Sequence, residues 1–223
     1  MVRASPESRD WRMRLEASLR RPSASRIRSI FSEMNPQLVG DPRFENRWRD
    51  FRQDAAVLIP IFERSGGPTI LLTVRSSEIP SHPGQICFPG GRVHTGDASP
   101  VATALRETEE EVGISRSLVE VVGALGPHEG AYGFKVTPVV GIVDPAAAIR
   151  PDPREVAEVF EAPLSFVADL KNHRIQQREE QGVAYNIFAA PFGRYDIWGL
   201  TAGILRTLAE SMNEDGGRLP KGS

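Results

Sequence analysis

The stretch from Ser99 to Ile114 reads SPVATALRETEEEVGI and predicts one short α-helix with well-marked ends. Ser99 supplies a hydroxyl N-cap, and Pro100 suits the first helical position because no helical partner is needed for its missing N–H. Gly113 suits the left-handed residue after the helix, and Ile114 can follow it as an apolar contact. The positions that repeat at helical spacing predict a buried face, made of Val101, Ala104, Leu105, Thr108 and Val112.

The same helix carries an unusual concentration of acids. Glu107, Glu110 and Glu111 are three and four residues apart, so their carboxylates share one side, whereas Glu109 points elsewhere. Like charges at this spacing destabilise a bare helix, and a bound divalent cation reverses that effect, since Mg²⁺ and Mn²⁺ prefer hard carboxylate oxygens. Arg106 is placed to reach Glu110 one turn later. The alternative interpretation is an ordinary solvated acidic face.

Strands are predicted immediately before this helix. Residues 55–62 and 69–74 are short apolar runs joined by Ser-Gly-Gly-Pro, which predicts a buried β-hairpin. Residues 86–88 predict another short strand. The Pro-Gly-Gly turn at residues 89–91 lets the backbone approach closely whatever packs against it.

After the helix, strands and helices continue to mix. Residues 119–125 and 136–143 predict strands, and Pro138 predicts that the second lies at an edge or a bulge. Residues 174–188 predict a hairpin, and residues 197–212 predict an amphipathic helix. Because there is no regular βαβ alternation, we expect an α+β fold with a mixed sheet between helices.

Composition restricts the class of protein. The 223 residues carry a formal net charge of −2, so a broad basic surface for nucleic acid is not expected. Cys87 is the only cysteine, which excludes an internal disulfide and fits a reducing compartment. No apolar run approaches the roughly 20 residues that span a bilayer. We therefore expect a cytoplasmic protein without a membrane partner.

The chain divides into three predicted parts: a helical extension at residues 1–50, a domain at 54–212 and a flexible tail at 213–223. The extension is rich in arginine and serine, as organelle transit peptides are. Its acids, Glu7, Asp10 and Glu16, favour a solvated basic helix instead. This segment or an exposed strand edge could mediate homodimer formation.

The residues from Gly91 to Ile114 resemble the Nudix box, G-x5-E-x7-R-E-U-x-E-E-x-G-U, in which U is hydrophobic. The second half matches from Arg106 onward. The first half departs, because Asp97 replaces the glutamate and eight residues rather than seven precede Arg106; Thr108 also occupies a hydrophobic position. The resemblance implies a Nudix α/β/α sandwich and a metal-dependent pyrophosphohydrolase.

A narrower resemblance concerns the substrate. Residues 71–76, Gly84 and residues 88–91 look like the additional signature of the coenzyme A pyrophosphatase branch, and residues 197–202 are similar to the same branch. The implied reaction splits coenzyme A or its acyl derivatives into 3′,5′-ADP and (acyl-)4′-phosphopantetheine. Pro80 stands where the signature has arginine, which leaves ADP-ribose, dinucleotides and nucleotide sugars as alternative substrates. A Nudix-fold module that binds nucleotides without cleaving them is the second alternative.

The resemblance also implies roles for individual residues. Glu107, Glu111 and Glu110 would bind Mg²⁺ or Mn²⁺, which activates a water molecule for attack on phosphorus. Arg106 completes the catalytic set, and the general base is Glu107 or Glu129. The residues assigned to substrate binding are Arg75, Gly84, Gln85, Phe88, Gly90 and Gly91.

Three assignments set a functional interpretation against a structural one. Arg75 could pair with a substrate phosphate or form a surface salt bridge. Residues 126–133 form a glycine-flanked loop that could act as a lid, in which His128 is expected to be exposed rather than catalytic. Cys87 is expected to be a small core residue rather than a nucleophile.

Overall fold

The computed structural model of this chain describes residues 6–20, 27–44, 53–79, 82–129 and 133–214. The α-helices in these ranges are α1 (Pro6–Leu19), α2 (Ile30–Met34), α3 (Pro100–Val112), α4 (Leu164–Ala168) and α5 (Gly199–Glu214). The strands are β1 (Gln53–Arg64), β2 (Gly67–Arg75), β3 (Ile86–Cys87), β4 (Gly90–Arg92), β5 (Val119–Ala124), β6 (His128–Glu129), β7 (Phe134–Val143), β8 (Val156–Pro163), β9 (Arg174–Glu180) and β10 (Val183–Ala189). Short 3₁₀ turns occupy Pro36–Leu38, Pro42–Phe44, Arg116–Leu118 and Leu170–Asn172.

Strand β1 is the centre of a mixed sheet. It runs parallel to β7 along one side and antiparallel to β2 along the other. Strands β5 and β6 pair with the far side of β7, and β8 pairs with the far side of β2. The mixture of parallel and antiparallel pairs confirms the predicted α+β class.

The β1–β2 hairpin opens towards the functional end of the sheet. The two strands pair from Arg64 and Gly67 as far as Ile61 and Ile70. Beyond these residues β3 takes the place beside β2, and β4 takes the place beside β1. The segment from residue 85 to residue 92 therefore lies between the separated strands.

Both faces of the sheet are covered by helices. Alternate residues of β1, such as Ile59 and Ile61, pack with α1 and α5, while Ala56 and Leu58 pack with Ala104 of α3. This alternation explains why β1 is an almost continuous apolar run rather than a one-sided pattern. The predicted sandwich of helix, sheet and helix is confirmed.

The position of Pro138 contradicts one of the two sequence expectations, which were an edge or a bulge. Strand β7 is interior rather than at an edge, since β1 lies on one side and β5 on the other. Proline is tolerated there because, on the side away from β1, β7 has no strand partner between the end of β5 at Ala124 and the start of β6 at His128. The missing N–H of Pro138 therefore leaves no hydrogen bond of the sheet unmade. The carbonyl of Pro138 still accepts a hydrogen bond from the Leu125 N–H at 2.9 Å.

The described parts of the N-terminal segment pack onto the rest of the chain. Leu15 of α1 is fully buried in the main core. Phe31 and Phe44 pack with Tyr185 of the β9–β10 hairpin. The predicted domain boundary near residue 50 and the tail beyond residue 214 lie outside the described residues. Among the described helices, none is long and apolar enough to span a bilayer.

Candidate active site

Helix α3 has the predicted ends. The Ser99 hydroxyl accepts a hydrogen bond from the Ala102 N–H at 3.2 Å, and Gly113 is left-handed with φ 70°. The buried face differs from the prediction, since Val101 and Leu105 are only partly buried while Thr103 and Glu111 are buried. Thr108 tolerates its apolar surroundings because its hydroxyl donates to the Ala104 carbonyl at 2.7 Å.

Two adjacent glycines form the floor beneath the α3 glutamates. A Cβ at Gly90 would lie 2.5 Å from the Ala56 carbonyl oxygen and 2.6 Å from Val57 Cα, so this position must be glycine for β4 to pair with β1. A Cβ at Gly91 would lie 2.5 Å from the carboxyl carbon of Glu107. Gly90 therefore permits the strand contact, and Gly91 leaves room for a carboxylate.

Glu111 is a buried carboxylate at this floor. Its side chain is turned onto β4, where Oε2 accepts a hydrogen bond from the Gly90 N–H at 3.1 Å, and the residue is only 4% exposed. Burial raises the pKa of Glu111 to about 8 against the effect of that hydrogen bond. The negative charges of Glu107 and Glu155 raise it further, and Arg75 opposes them.

Glu107 and Glu110 share one arginine. Arg106 Nη1 lies 2.9 Å from Glu107 Oε1 and 3.0 Å from Glu110 Oε2, which confirms the predicted contact one turn along the helix. Burial raises the pKa of the half-buried Glu107, and the nearby Arg106 opposes this shift. Glu110 is exposed, and Glu109 points away to pair with Arg116 at 2.9 Å.

Asp97 fixes this arginine from the opposite side. Arg106 Nε and Nη2 donate to the two carboxylate oxygens of Asp97 at 3.0 and 2.9 Å. Asp97 also accepts from the His94 N–H and the Thr103 hydroxyl, and Arg106 with these donors holds its pKa well below the usual range. The shorter acid and the longer spacing thus still give a two-point contact with Arg106.

The α3 acids are candidate ligands for a divalent cation. In the described ranges, no three histidine, cysteine, aspartate or glutamate side chains lie close enough together to form a ready-made metal site. The donor set nevertheless fits a hard cation in its chemistry. Glu107 and Glu111 carry carboxylates whose burial opposes ionisation, and a positive ion would offset that cost.

Arg75 lies at the end of β2, beside the same floor. Its guanidinium is close enough to the Cys87 thiol and the Glu111 carboxylate to lower the pKa of both groups. The turn containing Gly84 and Gln85 folds back on it, since Gly84 N–H donates to the Arg75 carbonyl at 3.1 Å and Arg75 N–H donates to the Gln85 carbonyl at 2.9 Å. Arg75, Gly84 and Gln85 are thus neighbours, while Pro80 lies outside the described residues.

Phe88 and Cys87 have packing roles rather than contacts with a ligand. Phe88 is 3% exposed and packs in the main core, so its ring supports the glycine turn instead of offering a surface to a ligand. The Cys87 thiol lies 3.2 Å from the Thr73 hydroxyl, and burial raises its pKa. A thiol with a raised pKa is a poor nucleophile, in keeping with the predicted packing role.

His128 corrects a further expectation, because it is fully buried rather than exposed. Its Nδ1 lies 2.9 Å from the Gly126 carbonyl, and its Nε2 lies 2.8 Å from the Thr207 hydroxyl of α5. Residues 128–129 form β6 rather than a free loop. The Arg28 backbone bridges along one edge of this strand, because the Arg28 N–H donates to the Pro127 carbonyl at 2.8 Å and the Glu129 N–H donates to the Arg28 carbonyl at 2.9 Å. Residues 130–132 of the predicted lid lie outside the described residues.

Glu129 is not brought together with the α3 acids. It pairs with Lys135 of β7, and its side chain lies on the face of the sheet that α3 covers. The strand order β4–β1–β7–β6 puts β6 three strands from β4, so the two strands are roughly 14 Å apart at ordinary strand spacing. The Ser29 hydroxyl donates to its carboxylate. Burial raises the pKa of Glu129 despite this hydrogen bond.

One residue near the site, Glu155, belongs to none of the sequence motifs. Glu155 precedes β8, and its carbonyl accepts a hydrogen bond from the Ser76 N–H at 2.9 Å, next to Arg75. Its charge acts on Glu111. It follows a polar turn far along the chain, and only the pairing of β8 with β2 brings it near the site.

Comparison with known proteins gives consistent matches. The sequence profile described as NUDIX domain matches residues 52–181. The chain is 45% identical to the uncharacterized Nudix hydrolase NudL of Citrobacter koseri over 181 residues, which cover 81% of this chain and 90% of that protein. The Escherichia coli K12 protein of the same name is 42% identical with the same coverage. A solved MutT protein from Methanosarcina mazei is similar with a TM-score of 0.46 and 18% identity, over 74% of this chain and 96% of that one.

Proposed function

Because this chain belongs to the Nudix hydrolase family, we propose that it hydrolyses the pyrophosphate bond of coenzyme A or its acyl derivatives. Hydrolysis of a diphosphate linkage in a small nucleotide derivative, with a divalent metal, is the activity of this family. The products proposed here are 3′,5′-ADP and (acyl-)4′-phosphopantetheine. Support for this substrate comes from the signature residues 71–76, Gly84 and 88–91. Of these, Gly84 contacts the Arg75 backbone, and Gly90 contacts Glu111, on which the charge of Arg75 acts.

The observation that carries the catalytic proposal is the buried Glu111 carboxylate beside Glu107 on a glycine floor. A merely solvated acidic face would not bury one carboxylate or leave space under another. These two residues, with Glu110, would hold Mg²⁺ or Mn²⁺. When bound, the cation supplies positive charge that lowers the pKa of water and neutralises charge developing on the phosphoryl oxygens.

The surrounding residues hold these carboxylates in place. The Gly90 N–H orients Glu111, and Arg106 fixes Glu107 and Glu110 while Asp97 fixes Arg106. Arg75 offers a guanidinium to a substrate phosphate at the edge of the floor. Its planar donors suit the bidentate recognition of a phosphate group.

A carboxylate must accept the proton of the attacking water, and two residues are candidates. Glu107 lies over the floor, and its raised pKa favours proton uptake. Glu129 also has a raised pKa but lies three strands away, held by Ser29. An unchanged kcat in Glu129→Gln would assign the base to Glu107, whereas a large loss would assign it to Glu129.

The substrate proposal is tested by comparing kcat/KM for coenzyme A, ADP-ribose and NADH with Mg²⁺ and with Mn²⁺. We expect coenzyme A to have the highest value and to yield 3′,5′-ADP. A preference for ADP-ribose or NADH would replace the coenzyme A assignment with the alternative substrate class. Nucleotide binding without any cleavage would favour the binding-module alternative.

A further inference from the structure

Among the residues that the structure describes, the β9–β10 hairpin has one covered edge and one open edge. On the β10 side, the Asn35 side chain accepts from the Asn186 N–H at 2.7 Å and donates to the Asn186 carbonyl at 2.9 Å. Trp198 forms a bridge to Ala189 on the same side. Strand β9 is the other edge of this two-stranded sheet.

The turn geometry fixes which groups of β9 point outward. Gln181 and Gly182 form a two-residue loop with φ 51° and 73°, which is the type I′ arrangement. The flanking pair Glu180 and Val183 therefore exchange hydrogen bonds, and every second residue of β9 bonds to β10. The backbone N–H and C=O groups that point outward belong to Ile175, Gln177 and Glu179.

These outward groups have no hydrogen-bond partner within the described part of the chain. Ile175 is also 63% exposed, an unusual exposure for a large apolar side chain on a strand. A row of unpaired groups beside an exposed apolar residue is a template for pairing with another strand.

We propose that a second copy of this chain occupies the edge, with β9 pairing antiparallel to β9 across a two-fold axis at Gln177. Gln177 then faces its own equivalent, and Ile175 faces the stem of Glu179. All outward backbone groups of β9 enter the ladder, and the two hairpins form one four-stranded sheet.

Charge selects this register over its neighbours. With the axis at Gln177, Arg174 of each copy lies opposite Glu180 of the other, which gives two favourable pairs. Moving the axis to position 176 places Arg174 opposite Arg178. Moving it to position 178 places Arg178 opposite itself. Both shifted registers therefore bring arginines together, and the Asp196 carboxylate 2.7 Å from Arg178 offsets part of that repulsion.

A single strand pair forms a small interface, so we expect a reversible dimer with a dissociation constant in the micromolar range, at about 1–100 µM. Sedimentation across that range should show the mass rising from 24.5 kDa towards twice that value. Arg174→Glu alone and Glu180→Arg alone should each weaken association roughly tenfold or more, because each creates two like-charge pairs. The double variant should restore association, because the pairs are reversed but again opposite.

The rescue is informative because Arg174 and Glu180 stand at opposite ends of β9, and compensation within one chain is therefore not expected. Thermal unfolding of each variant checks folding, and Gln177→Pro gives an independent test that removes the central N–H while sparing the hairpin bonds. A wild-type protein that stays monomeric throughout the range would overturn the proposal. So would single variants that associate normally, or a double variant that fails to recover.

Discussion

The carboxyl group of Glu107 occupies the space that a side chain at Gly91 would need, with only 2.5 Å between its Cδ and a Cβ built at that glycine. At the neighbouring Gly90, a Cβ would collide with backbone atoms of β1 instead. Substitution of the two glycines would therefore displace different groups. At Gly91 a flexible side-chain end can move, and at Gly90 a strand must move.

Gly91→Ala should thus impair catalysis more than folding. We expect kcat to fall roughly tenfold to a hundredfold, because displacement of a catalytic group by about 1 Å has effects of that size. Gly90→Ala should lower the free energy of unfolding by about 1–3 kcal/mol, as overpacking does. Steady-state kinetics and urea unfolding of both variants check the contrast; equal loss of stability would contradict it.

Glu111→Gln should lower kcat by at least about a hundredfold, since a lost metal ligand removes several kcal/mol of charge stabilisation. Glu109→Gln is the matched control and should remain active, because Glu109 pairs with Arg116 on another side of α3. Turnover with saturating Mg²⁺ measures both. Equal losses in the two variants would refute the assignment of the helix sides.

The same Glu111 variant should be more stable than wild type when metal is removed. The pKa of Glu111 rises from an ordinary 4.5 to about 8 on folding, so metal-free wild type loses stability as pH rises between those values. Glutamine has no proton to lose there. Melting curves in chelator at pH 5 and pH 8 should show the difference between the proteins growing at the higher pH.

Asp97→Asn should lower kcat roughly tenfold to a hundredfold, as loss of groups that orient metal ligands typically does. The reason is that Arg106 loses its charged anchor while α3 itself keeps its caps. Asp41→Asn is a matched control, because Asp41 also pairs with an arginine through both oxygens but lies outside the site. Activity retained in Asp97→Asn would show that Arg106 needs no such anchor.

Acid should destabilise the protein through His128. Burial lowers the pKa of His128 from 6.5 to about 4, so the unfolded chain takes up a proton that the folded chain does not. Stability should therefore fall by up to about 3 kcal/mol as pH drops from 6.5 to 4. His173, with a pKa also lowered by burial, acts in the same direction. Urea unfolding of His128→Gln against wild type isolates the first contribution, and an identical pH slope in both would disprove it.

The sequence predicts α3 well because its signals are local. Ser99, Pro100 and Gly113 act on backbone groups a few residues away, and apolar spacing does the rest. The burial of Glu111 is not visible in this way, since a run of acids is usually solvated. It depends on Gly90, which pairs with β1 far from the helix in sequence.

The errors at His128 and Pro138 have a similar origin. Glycines around His128 are typical of a mobile loop, but the hydroxyl of Thr207, 79 positions later in the chain, forms a hydrogen bond with the His128 ring and buries it. Proline in a strand usually indicates an edge or a bulge, but here an interruption in the neighbouring strand removes the need for its N–H. Both depend on long-range pairing that residue spacing does not encode.

Because residues 85–92 lie between β1 and β2, we expect the active site to form late in folding. The hairpin turn at Arg64 and Gly67 joins neighbours and can close early, whereas β4 must find β1 across more than thirty residues. We therefore expect amide hydrogens of the inserted segment to exchange with solvent sooner than those of the hairpin turn. A molecule in which only the inserted segment is unfolded would keep most of its strands but would have no catalytic centre.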